Sequence, residues 1–351
     1  MTIGIDPINQ TSVRAMQRAV EIRKSPLTFL TDRLVKERVN SDSKYIEIDK
    51  ISGNRFVAQY TPRYGGALAI GKGGYGNLIH IAPYVKHEIS YGSSDVDVRD
   101  AGVDPYSGIS NLDLKKARWM LELDQRITTL EELQVAQALQ TGKITVLGEG
   151  VSYEVDFQQD ALHLPVLATT ACWDAPTTND ILGNLASWAE LLRNDGFAEQ
   201  ELILSKLAAG YLLSDTKVKA VFDMIRFNPG EIKMRALKDQ HATYLGHMSW
   251  DGFDLDLYSY YGTYDYLNGS AKASAAYMNS YSAIMLGAGI DARMHYGKLE
   301  NLAAQAQGFK GSRFLSNYMS LDGSQGFLKM ESSPMFGLHT PEGVVCATVK
   351  S

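Results

Sequence analysis

Asn111-Leu112-Asp113-Leu114-Lys115-Lys116-Ala117-Arg118-Trp119-Met120 opens a stretch that runs to Gln158 and decides how the chain is built. Met120, Leu123, Ile127 and Leu130 recur at steps of three and four, which lines one face of a helix with apolar groups. Within it, Thr128-Thr129-Leu130-Glu131-Glu132 places a glutamate three positions after a threonine, the pattern of a capping box. The spacing therefore predicts a long helix, broken or kinked near Thr128, that continues to about Gln140. Gly142 supplies a C-terminal stop, and Lys143 sits where a cation answers the helix dipole. At 1.5 Å per residue such a helix spans roughly 40 Å, a rigid beam. Ile144–Gly148 and Val151–Phe157 then alternate around Gly148-Glu149-Gly150, which predicts a β-hairpin.

The whole chain has 351 residues, 45% hydrophobic and 21% charged, enough for one large or two ordinary domains with a substantial core. A net charge of −6 argues against a broad basic surface that coats nucleic acid. Cys172 and Cys346 are the only cysteines, so neither a disulfide framework nor a cysteine zinc site is available. Both are expected to be buried small hydrophobes in a reducing cytosol. No secretory pattern opens the chain, and no stretch approaches the ~20 apolar residues of a membrane helix, so a soluble cytosolic product is expected.

Upstream, residues 1–40 form a basic amphipathic arm with Arg14 and Arg18, a short helical pattern through Val13, Met16 and Val20, and an apolar anchor at Thr28-Phe29-Leu30-Thr31-Asp32. From Lys44 to Ser90 strands are expected. Tyr45–Asp49 and Phe56–Tyr60 precede a glycine-dense run (Gly65, Gly66, Gly71, Gly73, Gly74, Gly76), and Leu78–Ile81 and Pro83–Ile89 follow it. These describe a projecting hairpin that needs pairing from elsewhere, because an isolated hairpin is marginal in water. Downstream, Asn179 or Asp180 is expected to cap a helix through Leu185, Trp188 and Leu192 that stops at Gly196. A strand at Glu201–Leu204 precedes helices at Lys206–Leu213 and Asp215–Ile225, the second capped by Ser214. Residues 226–281 read as aromatic and loop-like, with a strand at Phe253–Tyr261. Strands at Asn279–Leu286, Gly289–Tyr296, Phe327–Met330 and Val344–Val349 close the chain.

Motifs with chemistry are sparse. Gly71-Lys72-Gly73-Gly74-Tyr75-Gly76 matches G-x-G-x-x-G, but a β pattern follows where a dinucleotide site needs a helix. Lys72 on a glycine loop is most simply a solubilising residue. The seven histidines show no metal-ligand spacing, and no nucleophile elbow is present. Asp254 and Asp256 share a strand face with Tyr258 and Tyr260, which reads as a solvent-facing edge. No catalytic, cofactor or metal residues are expected, and the protein is read as a non-enzyme.

The ordered set of features resembles the lambda-type major capsid protein E family of tailed phages. The resemblance rests on Phe29-Leu30-Thr31-Asp32, on Tyr45–Asp49 and Ile81–Glu88, and on Glu131–Ala136 with Leu139, Gly142-Lys143, Gly148 and Glu154–Phe157. It extends to Trp173 before Asn179-Asp180, and to Glu331-Ser332-Ser333-Pro334-Met335. It is loosest over residues 197–280. It implies an α+β chain with the Hong Kong 97-type phage capsid fold. The parts would be an N-terminal arm (1–43), an extended β-hairpin loop (44–95), a peripheral domain with a spine helix (96–172), an axial domain (173–310) and a return to the peripheral domain (311–351). It further implies a major capsid protein, assembled in the host bacterial cytoplasm into hexamers and pentamers of an icosahedral virion shell around double-stranded DNA. Portal and scaffold proteins, and a decoration protein, would be its partners, with no membrane. Expected intersubunit residues are Tyr64, Gly65, Gly66, Lys72, Gly73 and Tyr75 on the loop, and Arg14, Arg18, Phe29 and Leu30 on the arm. Met120, Leu123, Ile127 and Leu130 would form the spine. Two alternatives stand beside this: an encapsulin-like compartment, and a carbohydrate- or nucleotide-binding protein using Tyr258–Tyr266 or Gly71–Gly76.

Overall fold

The computed structural model describes residues 28–51, 75–97, 111–148, 150–175, 178–225, 235–237, 241–250, 253–268 and 271–350. The chain centres on α3, Asn111–Thr141, which follows two short helices, α1 (Phe29–Leu34) and α2 (Ser93–Asp97). At 31 residues α3 is about 46 Å long. It is continuous through Thr128 and Thr129, so the expected break is corrected. Both threonine hydroxyls donate to carbonyls four residues back, Thr128 to Asp124 at 3.0 Å and Thr129 to Gln125 at 2.8 Å. These bonds satisfy the hydroxyls inside a helix rather than starting one. The helix stops where expected, at Gly142 with φ +66°, a left-handed conformation that glycine adopts without cost. The hairpin β5 (Lys143–Gly148) and β6 (Val151–Asp156) follows at once.

Along its length α3 serves two apolar clusters. Met120, Leu123 and Ile127 pack against Leu315, Leu328 and Met330, each burial contributing about 1.5–3 kcal/mol. Leu130, the last of the predicted stripe, is half-buried. Beyond it Val135, Ala136, Ala138 and Leu139 enter the largest cluster, with Phe29, Leu30, Met294 and Phe336.

The strands form several sheets. The six-stranded sheet runs in the order β18 (Val344–Thr348), β13 (Ser282–Gly287), β7 (Glu199–Ser205), β10 (Phe253–Tyr260), β9 (Ala242–Trp250) and β8 (Arg235–Leu237). It is covered by α4 (Ile181–Asp195), α5 (Lys206–Ser214) and α6 (Thr216–Ile225) around Trp173, Leu185, Leu192 and Leu212. Helix α4 ends at Gly196 (φ +101°), as expected. Helix α6 is capped by Asp215, whose carboxylate accepts from the amides of Lys217 and Val218, and not by Ser214, whose hydroxyl bonds the Tyr211 carbonyl. The expected strand at Phe253–Tyr261 is β10, but the loop-like reading of the rest of 226–281 is corrected: β8, β9 and the hairpin β11 (Thr263–Asn268) with β12 (Ala271–Ala276) occupy much of it. Strand β10 is no edge. It pairs with β7 on one side and β9 on the other, and its Tyr258 and Tyr260 are buried.

Three smaller assemblies complete the fold. β1 (Glu37–Asn40) lies parallel to β14 (Ala292–Tyr296), which pairs with β17 (Pro334–Leu338). β15 (Phe314–Met319) and β16 (Gln325–Ser332) join β4 (Val85–Gly92), and β2 (Tyr45–Ile51) pairs with β3 (Tyr75–Ile81). Thus Leu78–Ile81 returns along Tyr45–Asp49 as expected, whereas the strand after Pro83 leaves the hairpin for β16. Tyr75 and Gly76 of the Gly71–Gly76 run belong to β3, so a strand stands where a dinucleotide site needs a helix, and Gly71–Gly74 lie outside the described residues. A small helix α7 (Leu302–Ala306) lies beside Phe314. No helix of the described residues is long and apolar enough to cross a membrane.

Candidate functional site

The middle of α3 buries two adjacent carboxylates, Glu131 and Glu132, which an apolar reading of the helix does not anticipate. A buried carboxylate is tolerated only with partners, and both have them. Glu132 accepts from the amides of Leu30 (3.0 Å) and Thr31 (2.9 Å), the Thr31 hydroxyl (2.6 Å) and the Tyr260 hydroxyl (2.8 Å). The two amides belong to the first turn of α1, whose N-cap residue Thr28 makes no side-chain cap bond. First-turn amides have no partner within their helix. Glu132, about a hundred residues away in sequence, therefore supplies the cap. Burial, and then the Glu132 charge, raise the Tyr260 phenol pKa strongly, so this hydroxyl stays a donor. Phe29 stacks on Tyr260 with ring centroids 5.1 Å apart, and the Arg33 guanidinium lies 3.8 Å over the Tyr258 ring.

Glu131 faces the other way. It accepts from the Tyr296 hydroxyl at 3.0 Å and pairs with Arg313 at 3.1 Å. Arg313 also pairs with Asp124 and donates to the Thr128 hydroxyl at 3.0 Å. Burial and the Glu131 charge push the Tyr296 phenol up to about 12. One turn on, the Gln134 amide donates to the Pro334 carbonyl and accepts from the Phe336 amide, both at 3.1 Å. Asp124, Thr128, Glu131 and Gln134 thus form a buried polar seam at helical spacing, which ties α3 to the segment before β15 and to β17. The arrangement fixes which elements α3 carries and at what rotation.

Among the sequence-predicted residues, Met120, Leu123 and Ile127 meet in one apolar cluster. Phe29 and Leu30 are buried at 1% and 0% exposure against the chain's own α3 and β10, so their side chains present no surface to a neighbour. Tyr75 begins β3. Arg14, Arg18, Tyr64, Gly65, Gly66, Lys72 and Gly73 lie outside the described residues. Glu132, Tyr260 and Arg313 were missed, although an acidic pair amid an apolar helix stripe is itself a signal that the carboxylates have distant partners. Among the described residues no group of three metal-ligating side chains occurs.

Surfaces open to partners are concentrated on hairpins. On β2–β3 one face carries Ile46 and Ile48, both buried, while the opposite face shows Tyr45, Ile79 and Ile81 at 46%, 60% and 52% exposure. The β15–β16 turn presents Met319 and Leu321, and the β5–β6 tip presents Leu147 and Val151.

Among curated proteins none matches the sequence. Among solved structures, the chain is similar to a protein described as a prophage capsid protein from E. coli CFT073, with TM-score 0.70, 15% identity and 99% of each chain covered. The capsid of the cyanophage P-SCSP1u aligns with TM-score 0.53 at 9% identity, over 94% of this chain and 90% of that one. The mature capsid of bacteriophage PhiM1 aligns with TM-score 0.50 at 12% identity, over 93% and 87%. At such identities the likeness shows the fold, which is the Hong Kong 97-type phage capsid fold expected from the sequence. The family model of phage major capsid protein E matches residues 12–349. The chain belongs to the phage major capsid protein E family.

Proposed function

We propose that copies of this chain tile an icosahedral phage head, as hexamers and pentamers, around packaged double-stranded DNA. In this reading α3 is the spine of a peripheral domain, and the lobe within 173–310 turns its outer loops to the capsomer centre. The extended loop of residues 44–95, which includes β2 and β3, lies over a neighbouring subunit beside the N-terminal arm, residues 1–43. The single observation that carries it is the apolar outer face of β2–β3. A two-stranded hairpin exposing Tyr45, Ile79 and Ile81 lacks the third layer such a strand pair needs, and a second copy supplies it. A net charge of −6 suits a wall that contains DNA without gripping it, since phosphate neutralisation by Lys and Arg dominates tight DNA binding. Portal, scaffold and decoration proteins are the further partners of this reading, and the host bacterial cytoplasm is its place of assembly. The sugar-stacking alternative loses Tyr258 and Tyr260, which are buried, and keeps only Tyr261 and Tyr266 as exposed rings of the Tyr258–Tyr266 run.

Electron microscopy of the purified protein tests this directly. Wild-type protein is expected to form shells, and Ile79→Asp with Ile81→Asp is expected to leave a folded chain that does not close them. Normal shells from that double variant, or from deletion of Gly65–Gly76, would contradict the hairpin assignment.

A further inference from the structure

His295 on β14 and His339, just after β17, meet through their Nε2 atoms at 3.1 Å. Their ring centroids are 5.4 Å apart, so the rings meet nose to nose, with the nitrogen lone-pair directions opposed. That is the geometry of one shared hydrogen bond. A chelated metal would need both nitrogens turned toward a common third point. Gly337 makes the approach possible, because a Cβ there would stand 2.8 Å from His295 Cδ2 and 2.9 Å from its Nε2. His295 is buried, at 7% exposure.

Two neutral imidazoles facing through one nitrogen each make a bond when one carries the proton and the other the lone pair. One added proton leaves that bond intact and charge-assisted. A second sets two N–H donors against each other with two like charges in a buried place. We propose that this pair is an acid-released latch: it clasps β14 to the segment after β17 while no more than one proton is added, and releases that edge when both rings are protonated.

The surroundings sharpen the response. Arg293 faces the pair and is itself held by Asp291 (2.9 Å) and Glu37 of β1 (3.5 Å). Lys36 Nζ donates to the carbonyl of Ile290, two residues before β14, at 3.3 Å, and the His339 amide donates to the Asp291 carbonyl at 3.0 Å. Burial first, then His339 and Arg293, hold the His295 imidazole down at about 4 against its ordinary 6.5, while Asp291 pulls the other way. The unfolded chain therefore binds more protons than the folded one between 6.5 and 4, and stability falls as pH falls through that window. Release acts on β1 as well, since Val39 of β1 lies beside His295 in the parallel pair. That strand follows α1 and leads to the β2–β3 hairpin.

The test is histidine-labelled NMR and amide hydrogen exchange on the full chain between pH 7 and 3.5. His295 is expected to titrate near 4, and protection factors in β14 and β17 to fall at least about tenfold between pH 6.5 and 4, well within the full depression of His295. In His339→Gln, which keeps a polar partner without a titrating charge, the His295 titration should move upward and the acid loss of protection should shrink. His295 titrating near 6.5 in the wild type, or protection that does not change with pH, overturns the latch whether or not the variant folds. So does Zn2+ binding at neutral pH that raises protection of β14 and β17, which would make the pair a chelate.

Discussion

Replacing Glu132 by glutamine separates the cap it gives α1 from its shape. The side chain keeps its size, but one carboxylate oxygen becomes an NH2. Each oxygen of Glu132 accepts one backbone amide and one hydroxyl: Leu30 and Tyr260 on Oε1, Thr31 twice on Oε2. The hydroxyls can turn and accept from the new NH2, but a backbone N–H cannot. Whichever way the amide is placed, one first-turn N–H of α1 is left facing another donor in a dry site. The loss is one charge-assisted bond, worth ~1.5–3 kcal/mol, plus the desolvation of a stranded amide, so about 3–5 kcal/mol in all. Tyr260→Phe, which takes away a single donor and strands nothing, should cost about 1–2 kcal/mol. A chain of this size need not unfold in one step, so the assay is local: amide exchange at Leu30 and Thr31. A cost of 3 kcal/mol corresponds to exchange faster by roughly two orders of magnitude. If Glu132→Gln leaves the protection of both amides within about twofold of wild type, the carboxylate is not the cap of α1 and the reasoning fails.

Gly142→Ala should destabilise the end of α3 by about 1–3 kcal/mol, since φ is +66° and the new Cβ would meet the Gln159 side chain at 2.8 Å; urea unfolding reads it. Arg313→Met alone should cost about 3–5 kcal/mol by stranding Asp124 and Glu131, whereas adding Asp124→Leu and Glu131→Leu should recover most of that loss in the same measurement. Burial pushes the Cys346 thiol up to about 12, so a thiol reagent at pH 8 should leave it unmodified in the folded protein and label it in urea.

Repetition was the part of this fold that could be read from sequence. The three- and four-residue steps from Met120 to Ile127 gave the helix and its apolar face, and alternation gave β2, β5, β6 and β18. What escaped was the choice among partners. Thr128 followed by Glu131 looks identical whether the glutamate folds back on its own backbone or reaches Tyr296, 165 positions on. Only the second is true, and a local window does not contain Tyr296. Tyr258 and Tyr260 show the same limit for strands. Alternation places them on one face with Asp254 and Asp256, but β10 passes from the rim into the core. The same face is therefore wet at Asp254 and dry at Tyr260. The candidate site was the least legible, because its members come from α1, α3, β10, β14 and the segment before β15.

The polar seam also has a consequence for a protein that must present the same surfaces in every copy. Apolar packing is non-directional, and α3 is buried on more than one side, in two separate clusters. Such a rod could turn or slide at little cost if only Leu, Ile, Val and Ala contacts held it. Asp124, Thr128, Glu131 and Gln134 remove that freedom. Arg313 reaches the first three together, and Gln134 reads the donor and acceptor of β17 two residues apart. A rotation of one residue, about 100°, would break every one of these bonds at once. Buried ion pairs contribute little net stability beside well-packed apolar groups, so their value here is registry. Glu132 extends that registry to α1, and Tyr296 extends it to the sheet that holds β1. The rotation of one helix thereby sets the direction in which the β2–β3 hairpin leaves the body, which the overlap we propose between copies requires to be constant.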